Sequence, residues 1–347
     1  MPPDPPPAAL RLEIDGDALA ANWRGLDALS GEARAGAAVK ANAYGLGARR
    51  VVERLANEGC RDFFVAHWGE AGDLLGVVEP ASIAVLHGPM TDRDCAYARA
   101  TGVRPVINSL AQARRWTAAG GGACDLMIDT GMNRLGLAAS EIGDEAVGAL
   151  DIEVLHSHLA SADEDVPLND LQQRRWAQAR VHVPHRRAAL ANSAGIVLGE
   201  RFHGELTRPG IALYGGVPCV ALSGAIRQVA RPAAAVIQVR EIEAGEGVGY
   251  NTVFVAPRAM RIGTIAVGYA DGYLRCWSNR GEMRSRDGTV PVIGRVSMDM
   301  TIVDLSDAPT VGEGDWLEIA YNLPRAAASS GLSQYELLTL LGSRFAR

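Results

Sequence analysis

Ala37-Ala38-Val39-Lys40-Ala41-Asn42-Ala43-Tyr44-Gly45-Leu46-Gly47 carries a short apolar run into a lysine and then into a turn of small residues. Read as a buried strand over 36–40, it is the first of a series. Apolar strand candidates recur at 62–66, 82–86, 104–108, 125–129, 153–158, 188–192 and 202–208, with helical or Ala-rich stretches between most of them. Strand alternating with helix implies a parallel sheet. About eight such units fit a closed (β/α)8 barrel better than an open doubly wound sheet, and no GxGxxG follows the first strand to favour the latter.

On either side of this rhythm the pattern changes. The lead MPPDPPPAAL is proline-rich, and Leu10–Ile14 then alternates like a strand before Asp17, an N-cap for the pattern Leu19, Trp23, Leu26. From about residue 225, short β-branched segments at 234–242, 262–267, 290–293, 301–305 and 316–319 are separated by Gly or Asp turns with no helices between, which reads as an all-β domain. A last helix is expected at 333–342, with Ser333 as its cap. The expected organisation is α/β: a disordered lead at 1–9, a TIM-like (β/α)8 barrel at 10–225 that binds the cofactor, and a C-terminal all-β domain at 226–347.

The totals narrow the function. A chain of 347 residues exceeds the size at which single cores usually split, and 48% apolar residues allow a sizeable core. A net charge of -6 argues against nucleic acid, which needs a basic surface, and leaves small metabolites as the default. Five widely spaced cysteines without a CxxC pair suggest neither a disulfide framework nor a zinc site. The start is acidic where a signal peptide would be basic, and no apolar run reaches membrane-spanning length, so a cytoplasmic protein without membrane contact is expected. His182, His185 and His203 lack metal-ligand spacing, and no metal is assigned. Trp23, Trp116 and Trp176 read as packing, and Arg174, Arg175 and Arg180 as a solvated helix face.

In a barrel, functional side chains sit at the carboxyl ends of the strands. Lys40 and Tyr44 follow the first strand, 129–136 (DTGMNRLG) follows the fifth, His158 ends the sixth, Asn192 and Ser193 end the seventh, and Arg208-Pro209-Gly210-Ile211 follows the eighth. Five polar strand ends are hard to explain as core packing. Taken alone, Lys40 is either a desolvated nucleophile or a lysine snorkelling at a strand end. Likewise, Arg208-Pro209-Gly210-Ile211 is either an ordinary helix start or a phosphate cup, with Gly210 presenting its amide beside Ser193 and Tyr44.

Together these blocks resemble the alanine racemases, the fold-type III pyridoxal-phosphate family. The likeness runs from about residue 10 to the C-terminus through AAVKANAYGLG, DTGMNRLG, SHLASADE, NSAG, RPGIALYG, VGYNTVF, IAVGYADGY and GRVSMDM, in that order. The resemblance implies interconversion of L- and D-alanine with pyridoxal 5'-phosphate, supplying peptidoglycan precursors. Lys40 would hold the cofactor covalently and act as base on one face of the substrate; Tyr250, from the second subunit of a homodimer, would be the base on the other. A planar carbanion is chiral only through what surrounds it, so racemisation needs a proton-transfer group on each face. Arg208 would face the pyridine nitrogen and, because guanidinium does not give up its proton, leave that nitrogen unprotonated. His158 would hydrogen-bond Arg208, and Arg134 would reach the cofactor's phenolic oxygen and the substrate carboxylate. Tyr44, Asn192, Ser193, Gly210 and Ile211 would surround the phosphate, while Tyr269 and Met298, from the other subunit, would line the substrate entrance and Asp299 would help to orient the site.

Three positions depart from the family pattern. Met127 stands where many members carry a carbamylated lysine, Ser343 where some have a phosphate-binding tyrosine, and Leu46 where histidine is usual. A racemase of wider substrate range, acting on serine or other amino acids, is therefore kept as the alternative. A non-catalytic cofactor carrier is disfavoured by the β domain with Tyr250, and a decarboxylase by the absence of larger C-terminal motifs.

Overall fold

The computed structural model describes residues 6 and 8–346. The chain divides into two compact units, Gly16–Arg227 and Gln228–Arg347, the latter joined by the segment that precedes Gly16.

In the Gly16–Arg227 unit, seven strands lie parallel and in chain order: Ala37–Ala38, Phe63–Val65, Ile83–Val85, Arg104–Ile107, Ala123–Met127, Asp151–His156 and Arg187–Ala189. An eighth, Leu206–Thr207, pairs in parallel with Arg34–Ala35, immediately ahead of the first. Arg208 N donates to Ala191 O (2.8 Å) and Ala38 N to Pro209 O (2.9 Å), so the ring of strands closes as the alternating pattern required. Both faces of these strands are covered, which is why they read as short apolar runs rather than alternating ones. The helix Ala48–Glu58 shows the complementary pattern. Ala48, Val51, Val52 and Leu55 form its buried stripe at helical spacing, and Gly59 ends it at φ 110°.

One apolar layer crosses the barrel interior, built from Phe64, Ala84, Val106, Met127, Val154, Ala189 and Leu206, one residue from each of seven strands. Trp23, Trp116 and Trp176 are buried, as packing residues should be. The arginine cluster departs from a purely solvated face. Arg180 pairs with Glu205 (2.6 Å), and Arg175 Nη1 donates to Thr130 O (3.0 Å), tying the helix Pro167–His182 to the loop after the fifth strand.

The second unit is an antiparallel sheet in the order Leu10–Ile14, Ala230–Ile242, Met260–Ile265, Thr301–Asp304, Gly288–Ile293, Glu282–Ser285 and Trp316–Ile319. Ala230–Ile242 also pairs with Trp316–Ile319, so the long strand serves both ends of the sheet. Leu10–Ile14 corrects the expected boundary at residue 10. It pairs from Leu10↔Ala234 to Ile14↔Ala230, and its alternation buries Leu10 and Leu12 in this sheet rather than in the barrel. The expected disordered lead falls largely on residues outside those described; Ala9 O already accepts from Ala235 N (2.9 Å). The last helix runs Gln334–Thr339, with Ser333 Oγ accepting from Glu336 N and Glu336 closing the capping box. A second helix, Leu323–Ser330, interrupts what read as uninterrupted β structure; Asn322 caps it and Pro324 occupies its first turn. Among the described residues no helix is long and apolar enough to cross a membrane.

Candidate active site at the carboxyl ends of the barrel strands

Lys40 leaves the first barrel strand as expected, but the backbone after it does not follow a familiar turn. Ala41, Asn42 and Ala43 have φ 53–54° and ψ 46–53°, and Tyr44 has φ 55°, which is one turn of left-handed helix. Each such residue costs on the order of 1–2 kcal/mol relative to the right-handed form, so the turn must be held from outside. Ala43 N donates to Val39 O and Gly45 N to Ala41 O (both 2.8 Å), and Ala48 N reaches Asn42 Oδ1 (2.8 Å). Glu70 supplies the tie to the next strand: Oε1 accepts from Ala41 N (2.6 Å), while Oε2 accepts from Ala66 N (2.7 Å) and His67 N (3.3 Å). Strain concentrated beside a reactive group and fixed by its surroundings is common at functional sites. The Lys40 side chain is half-buried, and burial lowers its pKa below the ordinary lysine value. Arg134 and Arg208 lower it further and Glu70 opposes them. Leu46, beyond the turn, is fully buried.

Around the eighth strand end the polar groups gather as expected, with one correction. The Gly210 amide is not left open: it donates to Ser193 Oγ (2.9 Å), which also accepts from Ala212 N (3.3 Å). The helical turn is the short 3-10 segment Ile211–Tyr214, so Pro209 precedes it instead of occupying its first position. A side chain at Gly210 would place its Cβ 2.4 Å from Tyr44 Oη, so glycine is required by the close approach of the tyrosine. Tyr44 is in turn packed on Tyr214, with ring centroids 4.7 Å apart, and Tyr214 Oη donates to Ala38 O (2.7 Å). Asn192 is turned toward its own loop, Oδ1 accepting from Gly195 N (2.9 Å). Ile211 is buried.

Among the described residues no carboxylate contacts the buried Arg208, and desolvation lowers its pKa to about 10. Nη1 donates to Ala189 O (2.7 Å) and to His156 Nδ1 (3.2 Å); Nη2 donates to Ser157 O and His158 Nδ1 (3.4 Å). Four donors are thereby occupied, while Nε–H has no partner among the described residues. His158 stands two residues beyond the strand Asp151–His156 rather than ending it. Burial, with Arg208 next, lowers its pKa to about 3. It is therefore neutral at physiological pH, accepts from Arg208 through Nδ1 and keeps a donor on Nε2. Gln172 fixes its backbone: Nε2 donates to His158 O (2.9 Å) and to Thr130 Oγ1 (3.2 Å). His156 and Gln172 were not singled out in the sequence. A histidine two positions before His158, at the end of the strand that leads to it, was the available signal.

The loop carrying Arg134 is closed at its base by Leu137 N to Met127 O and Asp129 N to Leu137 O (both 2.9 Å). Asp129 Oδ1 accepts from Gly131 N (2.8 Å) and Met132 N (2.9 Å), and Gly136, at φ 120°, lies where a Cβ would meet Asp129 N at 2.6 Å. Arg134 projects from this loop, exposed and without an ion pair among the described residues. In the second unit, Tyr269 and Met298 are brought together: Tyr269 N donates to Ser297 O and Ala270 N to Met298 O (both 3.0 Å). Asp299 shares Arg344 with the buried Asp271 (2.7 and 2.6 Å). Tyr250 and Met298 are exposed large side chains, 65% and 54% accessible.

The alanine racemase N-terminal domain model matches residues 14–218 and its C-terminal counterpart residues 229–347. The chain belongs to the alanine racemase family. It is 42% identical to the alanine racemase of Acidiphilium cryptum over 349 residues, which cover 97% of each chain. It is also 42% identical to a Rhizobium johnstonii relative named as a catabolic alanine racemase, over 97% of this chain and 93% of that one. Among solved structures, the alanine racemase of Bartonella henselae superposes with a TM-score of 0.90 at 34% identity, covering 98% of this chain and 99% of that one. That structure is described as carrying covalently bound pyridoxal phosphate.

Within this isomerase family the residues here fit the same cofactor. An amine of lowered pKa, a guanidinium with one unpartnered donor, and the Ser193 hydroxyl beside Gly210 and Tyr44 match its aldehyde, ring nitrogen and phosphate in chemical kind. The departure at Met127 is a packing one. Its side chain belongs to the apolar layer of the barrel, 8% accessible, and offers Arg134 no anion. Ser343 is exposed near the C-terminus.

Proposed function

We propose that this chain interconverts L- and D-alanine with pyridoxal 5'-phosphate held at the barrel mouth, using Lys40 and Tyr250 as bases on opposite faces of the substrate. The observation that carries the reading is Lys40 itself: its amine is depressed by burial and by Arg134 and Arg208, and Arg208 keeps an unpartnered Nε–H.

Pyridoxal phosphate, when bound, supplies the electron sink that makes the substrate's Cα–H acidic. The protein does the rest. Lys40 Nζ would hold the cofactor and would take or return a proton at Cα on one face. Tyr250 Oη does so on the other face, acting from a second copy of the chain in a homodimer. Ser193 offers its hydroxyl and Ile211 its backbone amide to the phosphate, Gly210 makes room beside them, Asn192 shapes the adjoining loop and Tyr44 adds a phenolic group. Arg208 donates Nε–H to the ring nitrogen, which guanidinium cannot protonate, and His158 steadies it. Arg134 neutralises the substrate carboxylate, with Tyr269 and Met298 from that second copy lining its entrance and Asp299 orienting them.

Two substitutions test this. Lys40→Ala is expected to lose both racemisation and the borohydride-sensitive visible absorption of the bound cofactor. A band that survived the substitution would remove the basis of the assignment. Tyr250→Phe is expected to lower racemisation by about 100-fold or more. Mixing the two inactive variants should restore up to about a quarter of wild-type activity, because half of the mixed dimers are hybrids with one intact site of two. No recovery on subunit exchange would place both bases on one chain.

We place the enzyme in the cytoplasm, supplying D-alanine for peptidoglycan precursors. The name of the Rhizobium johnstonii relative favours a second reading, in which the enzyme serves alanine breakdown. Growth of a deletion strain decides between them: a D-alanine requirement supports the first, and a failure to use alanine as carbon source the second. Steady-state kinetics on alanine, serine and lysine separate a dedicated enzyme from one of wider range.

A further inference from the structure

A row of charged and polar side chains runs through the barrel interior and ends on Arg208. Arg187 holds Asp62 with two bonds of 2.9 Å; Asp62 Oδ1 lies 3.4 Å from Arg104 Nη2; and Arg104 Nε donates to Asp125 Oδ1 (3.1 Å). The other oxygen of Asp125 lies 3.0 Å from His156 Nε2, and His156 Nδ1 faces Arg208 Nη1 at 3.2 Å. Asp125 and His156 are both fully buried. Arg104 stands at the start of one strand, Asp125 in the middle of the next and His156 at the end of the one after, so the row climbs toward the ligand end as it crosses the sheet.

The donor inventory leaves one arrangement. Arg208 has no acceptor atoms, so His156 Nδ1 must present a lone pair. The imidazole proton then sits on Nε2 and goes to Asp125, which burial would raise but which Arg104 and the histidine hold below the ordinary carboxylate range. Desolvation lowers the His156 pKa to about 4, so the ring stays neutral at working pH. A neutral ring thus separates the guanidinium from the nearest carboxylate. Direct contact would draw the Arg208 donors inward; the spacer fixes the group by a hydrogen bond while leaving its charge to act on the ligand.

We propose that Asp125 and His156 are positioning residues for the guanidinium at the cofactor ring: Asp125 selects the Nε2–H tautomer of His156, and the Nδ1 lone pair so presented sets the direction of the remaining Arg208 Nε–H. This rests on the reading that Arg208 meets the ring nitrogen. The logic is that of outer hydrogen bonds that fix the tautomer of a ligating histidine, here applied to an arginine.

The test uses the full chain, with and without pyridoxal phosphate. His156→Gln can accept from Arg208 through its oxygen and donate to Asp125 through its amide, and is expected to keep kcat within about 3-fold of wild type. His156→Leu removes the acceptor, and Asp125→Asn can itself donate to His156 and reverse the tautomer. Both are expected to lower kcat by about 10- to 100-fold with KM changed by less than about 3-fold. Both should also shift the pH titration of the bound cofactor's absorption. Loss of melting temperature alone, with the wild-type spectrum and kcat retained, would show a structural role and overturn the proposal. Arg208→Lys separates the two levels. If it leaves the cofactor's absorption unchanged, the reading of Arg208 fails; if it changes the absorption while Asp125→Asn and His156→Leu do not, only the positioning role fails. Should the variants not fold, nitrogen NMR of labelled histidine in the cofactor-free wild-type protein still decides. A neutral Nε2–H ring at His156 supports the proposal, and an Nδ1–H or doubly protonated ring overturns it.

Discussion

Gly210 shows how much one atom matters at this site. Its missing Cβ leaves room for Tyr44 Oη, and its amide is engaged by Ser193, so the tyrosine, serine and glycine form one close-packed corner. Gly210→Ala drives a methyl into the phenol and should weaken pyridoxal phosphate binding by about 10-fold or more, measured by titration of the cofactor-free protein; an unchanged affinity would mean that this corner does not hold the phosphate. The glycine's importance was legible in Arg208-Pro209-Gly210-Ile211, but its partner was not. Gly210 and Ser193 lie 17 residues apart, and only the closing of the barrel places the hydroxyl on that amide. Arg208 was legible in the same way, whereas His156, which presents the acceptor to it, looked like any residue in an apolar strand.

At the scale of the element, the left-handed turn after Lys40 is the feature that local propensity gave least reason to expect. Alanine favours right-handed helix, and nothing in Ala41-Asn42-Ala43-Tyr44 announces the opposite hand except the flanking glycines. Its geometry is imposed by Glu70, beyond the second barrel strand, and by the hydrogen bonds that close over Gly45 and Gly47. Ala41 is exposed at φ 54°, so Ala41→Gly should raise stability by about 0.5–1 kcal/mol as the steric cost is relieved against some loss of backbone entropy. Ala41→Val should lower it by about 2 kcal/mol or more, since a β-branched residue is a true outlier there. Urea unfolding of both variants checks the pair, and equal midpoints would argue against the left-handed conformation. Replacing Glu70 by alanine removes the acceptor of three backbone amides and should cost roughly 2 kcal/mol, with a larger loss of kcat than of stability because the turn carries the lysine.

Over the whole molecule, the two buried neutral histidines make a prediction about pH. Their folded pKa values, about 4 for His156 and about 3 for His158, lie below the ordinary histidine value of 6.5, so the unfolded chain binds more protons below that pH. Stability is therefore fully present above about pH 6.5 and falls as pH drops toward 4, by roughly 1 kcal/mol per unit for each histidine. Urea midpoints measured from pH 7 to 4 should decline with that slope, and His156→Gln should flatten it by about half; a midpoint independent of pH would contradict the burial of both rings in neutral form.

The alternation of strand and helix, the polar residues at strand ends and the β-branched second half are local patterns, and they were enough to set the (β/α)8 barrel and the all-β unit and to nominate the strand-end residues of the candidate site. Local pattern could not assign Leu10–Ile14, because an amphipathic strand says which face is buried and not against which sheet; its pairing with Ala230–Ile242 spans over 200 residues of chain. Nor could it reveal the interior row from Arg187 to Arg208. Charged residues in apolar strands are tolerated only when partners meet them in three dimensions, and those partners come from different strands that only the closed barrel brings within 3 Å or so. Composition and periodicity act between neighbours in sequence, and so determined the elements and their ends. The hydrogen bonds that aim Arg208 and hold the lysine's turn act between neighbours in space, and so were decided by the tertiary structure.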